Sequence, residues 1–280
     1  MKDDFYTMGG GHFWEDVFFY QKWRIQRNFT TKQYRLLDNW DICRETGSFE
    51  TCRETFVKYI DAHEIARQKG HMIIMIHGLG QSKNFFKPLW REALKHNFMA
   101  AAVNYPSSQK DLTAHIKQFQ FFLEHLEDVT EVSFVTYGCG NLILQKLMND
   151  DEKWQKSFSI VRAVEVCPCI FGSKLIEKLS KNSILSFIIG PMAKDLAPDR
   201  VSHIPALQKI ESGIVLSNKP WYRRLVELLL GVYSPDSSVD EVQKITQNKN
   251  VIKIANRKLN IFNNPAIRHA VMSFLEKGKF

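Results

Sequence analysis

The side chains best suited to chemistry stand at the ends of apolar runs. Gly138-Cys139-Gly140 turns the run Glu131–Tyr137 into the stretch Leu142–Met148. That puts the Cys139 thiol at the start of a helix, where a thiolate is favoured and reactive. His77-Gly78-Leu79-Gly80 breaks a second run, His71–Ile76, and Asn104-Tyr105-Pro106-Ser107-Ser108 ends a third, Phe98–Val103. Asp236 lies in Tyr233-Ser234-Pro235-Asp236-Ser237-Ser238, a segment that also reads as ordinary turn chemistry. A nucleophile, a base, an acid that orients the base and donors for a developing oxyanion are the parts of an acyl hydrolase. No histidine lies between His203 and His269. Cys167-Pro168-Cys169 has the wrong spacing for a zinc knuckle and no second pair. No metal or cofactor is expected.

The elements that must position these residues alternate. Short apolar runs at 71–76, 98–103, 131–137, 160–166, 213–216 and 251–254 predict buried strands. Between them, Phe85–His96, Leu112–Leu126 and Leu142–Met148 predict helices; Leu112, Ile116, Phe119, Leu123 and Leu126 share one helical face. Alternation of this kind implies a mostly parallel sheet covered on both faces, with ligands at the carboxyl ends of its strands. The aromatic, basic stretch from Phe13 to Phe29 recurs at near-helical spacing, and Ser48-Phe49-Glu50-Thr51 reads as a cap opening a helix over Cys52–Ala66. Residues 1–70 are therefore expected to be a helical extension packed on a domain spanning 71–280. The irregular stretch 172–205, with the apolar Ser183–Ile189, is expected to be a lid.

Taken in order, the strand before His77-Gly78-Leu79-Gly80, the segment Val132-Ser133-Phe134-Val135-Thr136-Tyr137-Gly138-Cys139-Gly140-Asn141, and Asn263-Asn264-Pro265 with Phe274-Leu275-Glu276-Lys277-Gly278-Lys279-Phe280 resemble the α/β-hydrolase superfamily. The resemblance is to its small bacterial lipase and esterase branch and runs from about Trp23 to the C-terminus. It implies an α/β-hydrolase fold. In that family the nucleophile is the serine of Gly-x-Ser-x-Gly on a strained strand-to-helix turn; the matching position here is Gly138. The family's histidine lies several residues ahead of the Asn-Pro pair; the matching position is Lys258. Asp236 resembles the acid in order and context, and a salt bridge from Asp236 to Lys258 is expected where the Asp–His pair stands. The resemblance assigns the oxyanion donors to the backbone N–H groups of Leu79 and Cys139, with His77 and Gly78 shaping the loop.

Two readings follow. One is a pseudoenzyme that keeps the fold and cleft but binds an acyl or anionic ligand, or a protein partner. The other is a divergent carboxylic-ester hydrolase using Cys139, Ser107 or a directly activated water. Composition bounds the partners. The chain has 280 residues, 44% of them hydrophobic, and a net charge of +8. Its lysines are dispersed and no nucleic-acid motif is present, so no nucleic-acid partner is expected. An aromatic, basic N-terminal segment leaves peripheral membrane contact open. Acidic residues at the start and five cysteines, an odd number, are the signature expected of a cytoplasmic chain without a signal peptide.

Overall fold

The computed structural model describes residues 13–149, 153–218, 229 and 236–280. Six strands form one parallel sheet: β5 (His71–Ile76), β6 (Met99–Val103), β7 (Glu131–Tyr137), β8 (Ser159–Val166), β9 (Glu211–Leu216) and β10 (Val251–Lys253), in the order β10-β9-β8-β7-β5-β6. The predicted strands all form, with ends shifted by at most two residues. β5, β6 and β7 are nearly continuous apolar runs because helices cover both faces. The chain leaves β5 to one side for β6 and to the other for β7. The topological switch point therefore falls between the carboxyl ends of β5 and β7, where His77 and Gly138 stand.

Preceding this sheet is a second, antiparallel one of β1 (Trp14–Tyr20), β2 (Trp23–Asn28), β3 (Tyr34–Leu37) and β4 (Cys43–Gly47). The helical extension predicted for residues 1–70 is thus wrong over 14–47: Phe13–Phe29 is a hairpin, not a helix. Its turn explains the error. Tyr20 pairs with Trp23, and the two residues between them, Gln21 and Lys22, both have positive φ, 48° and 74°. Asn-Gly or Asp-Gly usually marks such a turn; Gln-Lys carries no such mark. β1 is also covered on both faces, Phe18 and Tyr20 packing on Phe56 while Phe19 joins the core of the parallel sheet. The period-two alternation of a half-buried strand is therefore lost.

Among the described residues of this part only α1 (Phe49–His63) is an α-helix, and Ser48 caps it as the sequence predicts, accepting from the Thr51 N–H at 3.1 Å. Helices α2 (Lys87–Lys95), α3 (Leu112–Glu124) and α4 (Gly140–Asn149) follow, with a 3₁₀ turn at Lys83–Phe86 ahead of α2. The expected lid contains α5 (Lys174–Ser180), α6 (Ser183–Ile189) and two single turns, α7 (Met192–Asp195) and α8 (Pro198–Val201). It is divided in character. Met192, Leu196 and Val201 are core residues, whereas Phe187 projects into solvent. Helices α9 (Val239–Thr246) and α10 (Pro265–Lys277) complete the chain. Tyr233, Ser234 and Pro235, which precede Asp236, fall outside the described residues.

Candidate active site

β7 ends at Tyr137, and the chain turns sharply at Gly138, whose φ is +55°. The Gly138 N–H donates to the Val166 carbonyl at 3.1 Å, and the N–H groups of Asn141 and Leu142 return to the Gly138 and Cys139 carbonyls to begin α4. The two glycines serve different ends. A Cβ on Gly140 would lie 2.5 Å from the Ile76 carbonyl oxygen and 2.7 Å from that of His77, so crossing backbones demand glycine there. A Cβ on Gly138 would meet nothing nearer than the Gly78 Cα at 3.8 Å. The turn keeps the left-handed backbone and the open space of a nucleophile position, and it carries no side chain.

The facing loop is built from buried parts. The His77 ring stacks on Tyr105 with centroids 4.1 Å apart, and its Nδ1 lies 2.9 Å from the Gly78 carbonyl oxygen. The Tyr105 hydroxyl donates to the His77 carbonyl at 2.5 Å. The Gly80 N–H donates to Ser107 Oγ at 3.0 Å, so the Ser107 hydroxyl, a candidate nucleophile from the sequence, is buried and engaged as a loop clasp. Behind Tyr105 lies His115, edge-on at 4.8 Å. Burial, reinforced by Lys110 and His77, pushes its pKa down to about 3, so this imidazole is neutral.

Cys139 is buried. Burial, with Cys169 adding to it, pushes the thiol up to about 12, while the amide groups of Leu79 and of Cys139 itself act in the opposite direction. These are the two groups to which the oxyanion role was assigned, and the sulfur lies beside them. A helix N-terminus lowers a thiol pKa and burial in apolar surroundings raises it; here desolvation is the larger effect and opposes the thiolate.

His77, Gly78, Leu79, Gly138 and Cys139 therefore converge at the switch point. Lys258 lies in the exposed loop after β10, where the Asn256 side chain holds its backbone: Asn256 Nδ2 donates to the Lys258 carbonyl at 2.8 Å and Asn256 Oδ1 accepts the Lys258 N–H at 3.1 Å. The Asn256 N–H in turn donates to Asn218 Oδ1 at 2.7 Å, clasping the loop after β9 to the loop after β10. Asp236 is half-buried, two residues before Ser238, which caps α9. His269 is exposed on α10.

Sequence reasoning missed the polar groups under the elbow. Glu165, inside β8 and level with Thr136 of β7, is fully buried and accepts from Gln145 Nε2 at 3.2 Å. Burial raises its pKa to about 7, against the opposing hydrogen bonds of Asn141 and Gln145. A glutamate between Val164 and Val166, inside a predicted buried strand, was the available signal.

No family model and no curated protein matches this chain in sequence. Solved structures do match it in shape. The monoacylglycerol lipase of Paleococcus ferrophilus superposes with a TM-score of 0.52 at 12% identity, covering 74% of this chain and 95% of that one. An esterase from Exiguobacterium antarcticum gives 0.49 at 9% identity, over 75% and 93% of the two chains. An esterase from Thermogutta terrifontis gives 0.48 at 8% identity, over 76% and 92%. At these identities the likeness is one of fold.

Proposed function

We propose that this chain, whose fold is that of the α/β-hydrolases, uses its lipase- and esterase-like scaffold to bind an acyl or other anionic ligand without covalent acyl transfer. The observation that carries the reading is Gly138, which occupies the positive-φ position of the elbow with open space above it and no nucleophilic atom. Two others agree. The neighbouring thiol is buried and held protonated, and the position matching the family's base is the exposed Lys258. Ester hydrolysis through Cys139 would require the thiolate that burial opposes.

The vacated turn suits an anion. The family resemblance assigns the amides of Leu79 and Cys139 as its donors, the first turn of α4 adds positive charge, and a side chain on Gly138, which would meet only the Gly78 Cα at 3.8 Å, is absent. Aryl esters of short and long acyl chains, together with a fluorophosphonate that traps nucleophilic serines, test the reading. The wild type is expected to show neither turnover nor labelling. Gly138→Ser with Lys258→His is expected to gain fluorophosphonate labelling, since the new side chain fits. Wild-type turnover abolished by Cys139→Ala would overturn the proposal and make the chain a cysteine hydrolase.

A further inference from the structure

Three of the four most exposed large apolar side chains among the described residues are Phe187, Leu259 and Trp40, at 88%, 84% and 74%. They come from segments distant in sequence, yet contacts join those segments around one rim, the carboxyl end of the parallel sheet. Trp40 and Ile42 flank Asp41 in the turn between β3 and β4, and Asp41 pairs with Lys83 of the 3₁₀ turn that follows Gly80. Two residues on, the Phe85 carbonyl accepts from Asn260 Nδ2 at 2.8 Å, next to Leu259. On the other side, Gly80 is bonded to Ser107, and Gly190, directly after α6, packs so closely on Ser108 that a Cβ there would collide with its carbonyl. Phe187 and Leu185 project from α6 at that point. By contrast, Val57, Leu94 and Ile245 on the outer faces of α1, α2 and α9 are no more than 53% exposed.

We propose that this rim docks on a lipid bilayer surface containing anionic lipid. The form of the apolar surface argues for lipid over a protein partner. These side chains stand in small groups on three separate edges, Trp40 with Ile42, Phe187 with Leu185, and Leu259 beside Arg257 and Lys258, whereas a stable protein interface needs a continuous packed patch. Isolated Trp, Phe and Leu side chains insert among headgroups individually, and Trp favours that boundary. Charge agrees. Arg257 and Lys258 are exposed beside Leu259, Asp41 is already paired with Lys83, and the chain carries +8 overall. The docking is independent of the elbow chemistry. It stands or falls whether or not an ester is cleaved.

The test is flotation of the whole chain with vesicles of phosphatidylcholine alone, and with about a quarter phosphatidylglycerol, a content sufficient for a negative surface potential. The wild type is expected to float with the anionic vesicles. Trp40→Ser with Phe187→Ser and Leu259→Ser is expected to reduce the bound fraction at least about tenfold through lost apolar insertion. Arg257→Glu with Lys258→Glu is expected to weaken binding to the anionic vesicles and leave the neutral ones unaffected. Unchanged circular dichroism keeps the comparison valid, since all the altered side chains are exposed. A wild type that stays at the bottom of the gradient, or a triple variant that floats equally well, would overturn the proposal. So would a wild-type dimer by light scattering that the triple variant dissociates, which would assign the rim to a second copy of the chain.

Discussion

The elbow at Gly138 and the junction between the two sheets are both tied to the loop after β6, and they are opposites. The junction is crowded with charge. Asp16 and Glu15 are buried on β1; Arg24 donates to Asp16 at 2.7 Å, Gln26 Nε2 donates to the other Asp16 oxygen at 2.7 Å, and the Asn104 N–H reaches Asp16 at 2.7 Å. Arg27 and Lys110 both pair with Glu15. The elbow has no such paired charge among the described residues: its turn is a backbone conformation and two amides, and Glu165 beneath it has the amide side chains of Asn141 and Gln145 for partners. Abundant buried charge, fully paired, is here a joint between sheets, while the position that points to ligand binding is recognised by φ and by empty space.

Removing one partner from the junction tests this most severely. Asp16→Ala leaves the buried Arg24 with the Ala102 carbonyl and only the more distant Asp41 carboxylate, at 3.9 Å, and is expected to cost about 3–5 kcal/mol in urea unfolding. A loss below about 1 kcal/mol, the level of an exposed pair, would break the comparison. Next in size is Glu165, a buried carboxyl that has amides rather than cations for partners. Its folded pKa is raised, to about 7 from an ordinary 4.5. The protonated form is therefore favoured by folding, and its contribution is complete below pH 4.5 and disappears as pH rises through 7. Stability is expected to fall by on the order of 3 kcal/mol across that window, and Glu165→Gln is expected to remove that fall. A slope unchanged in the variant would assign it elsewhere.

The two glycines of the elbow sharpen the contrast. Gly140→Ala, pressed against two carbonyls, is expected to cost about 1–3 kcal/mol or to prevent folding. Gly138→Ala meets only ordinary contact and is expected to lose about 1 kcal/mol, from its positive φ alone. Equal losses at the two positions would mean that Gly138 is not open. The smallest effect is at the thiols. The exposed Cys43 is expected to react with an aromatic disulfide reagent at pH 8, and Cys139 only on unfolding. Prompt labelling of native Cys139 would reopen its candidacy as a nucleophile.

Strand by strand, the parallel sheet was legible because burial on both faces writes largely apolar runs into β5, β6 and β7, with glycine marking the ends of β5 and β7 and Asn104-Tyr105-Pro106 that of β6. The turn at Gly138-Cys139-Gly140 was legible for the same reason. The N-terminal sheet was not, since Gln21-Lys22 adopts a turn that its residue types do not announce and β1 is covered on both faces. Nor was the state of Cys139. Its place at a helix start suggested a reactive thiolate, and only the surrounding core decided that it is protonated.

The sequence alone determined the order of the strands of the parallel sheet, the glycine at the elbow and the lysine in the closing loop, because periodicity and residue identity are local properties. Only the tertiary structure decided which buried charges are paired, which way the Cys139 equilibrium lies, and that Trp40, Phe187 and Leu259 share one rim. Those depend on desolvation and on contacts between segments far apart in the chain, and no local pattern records either.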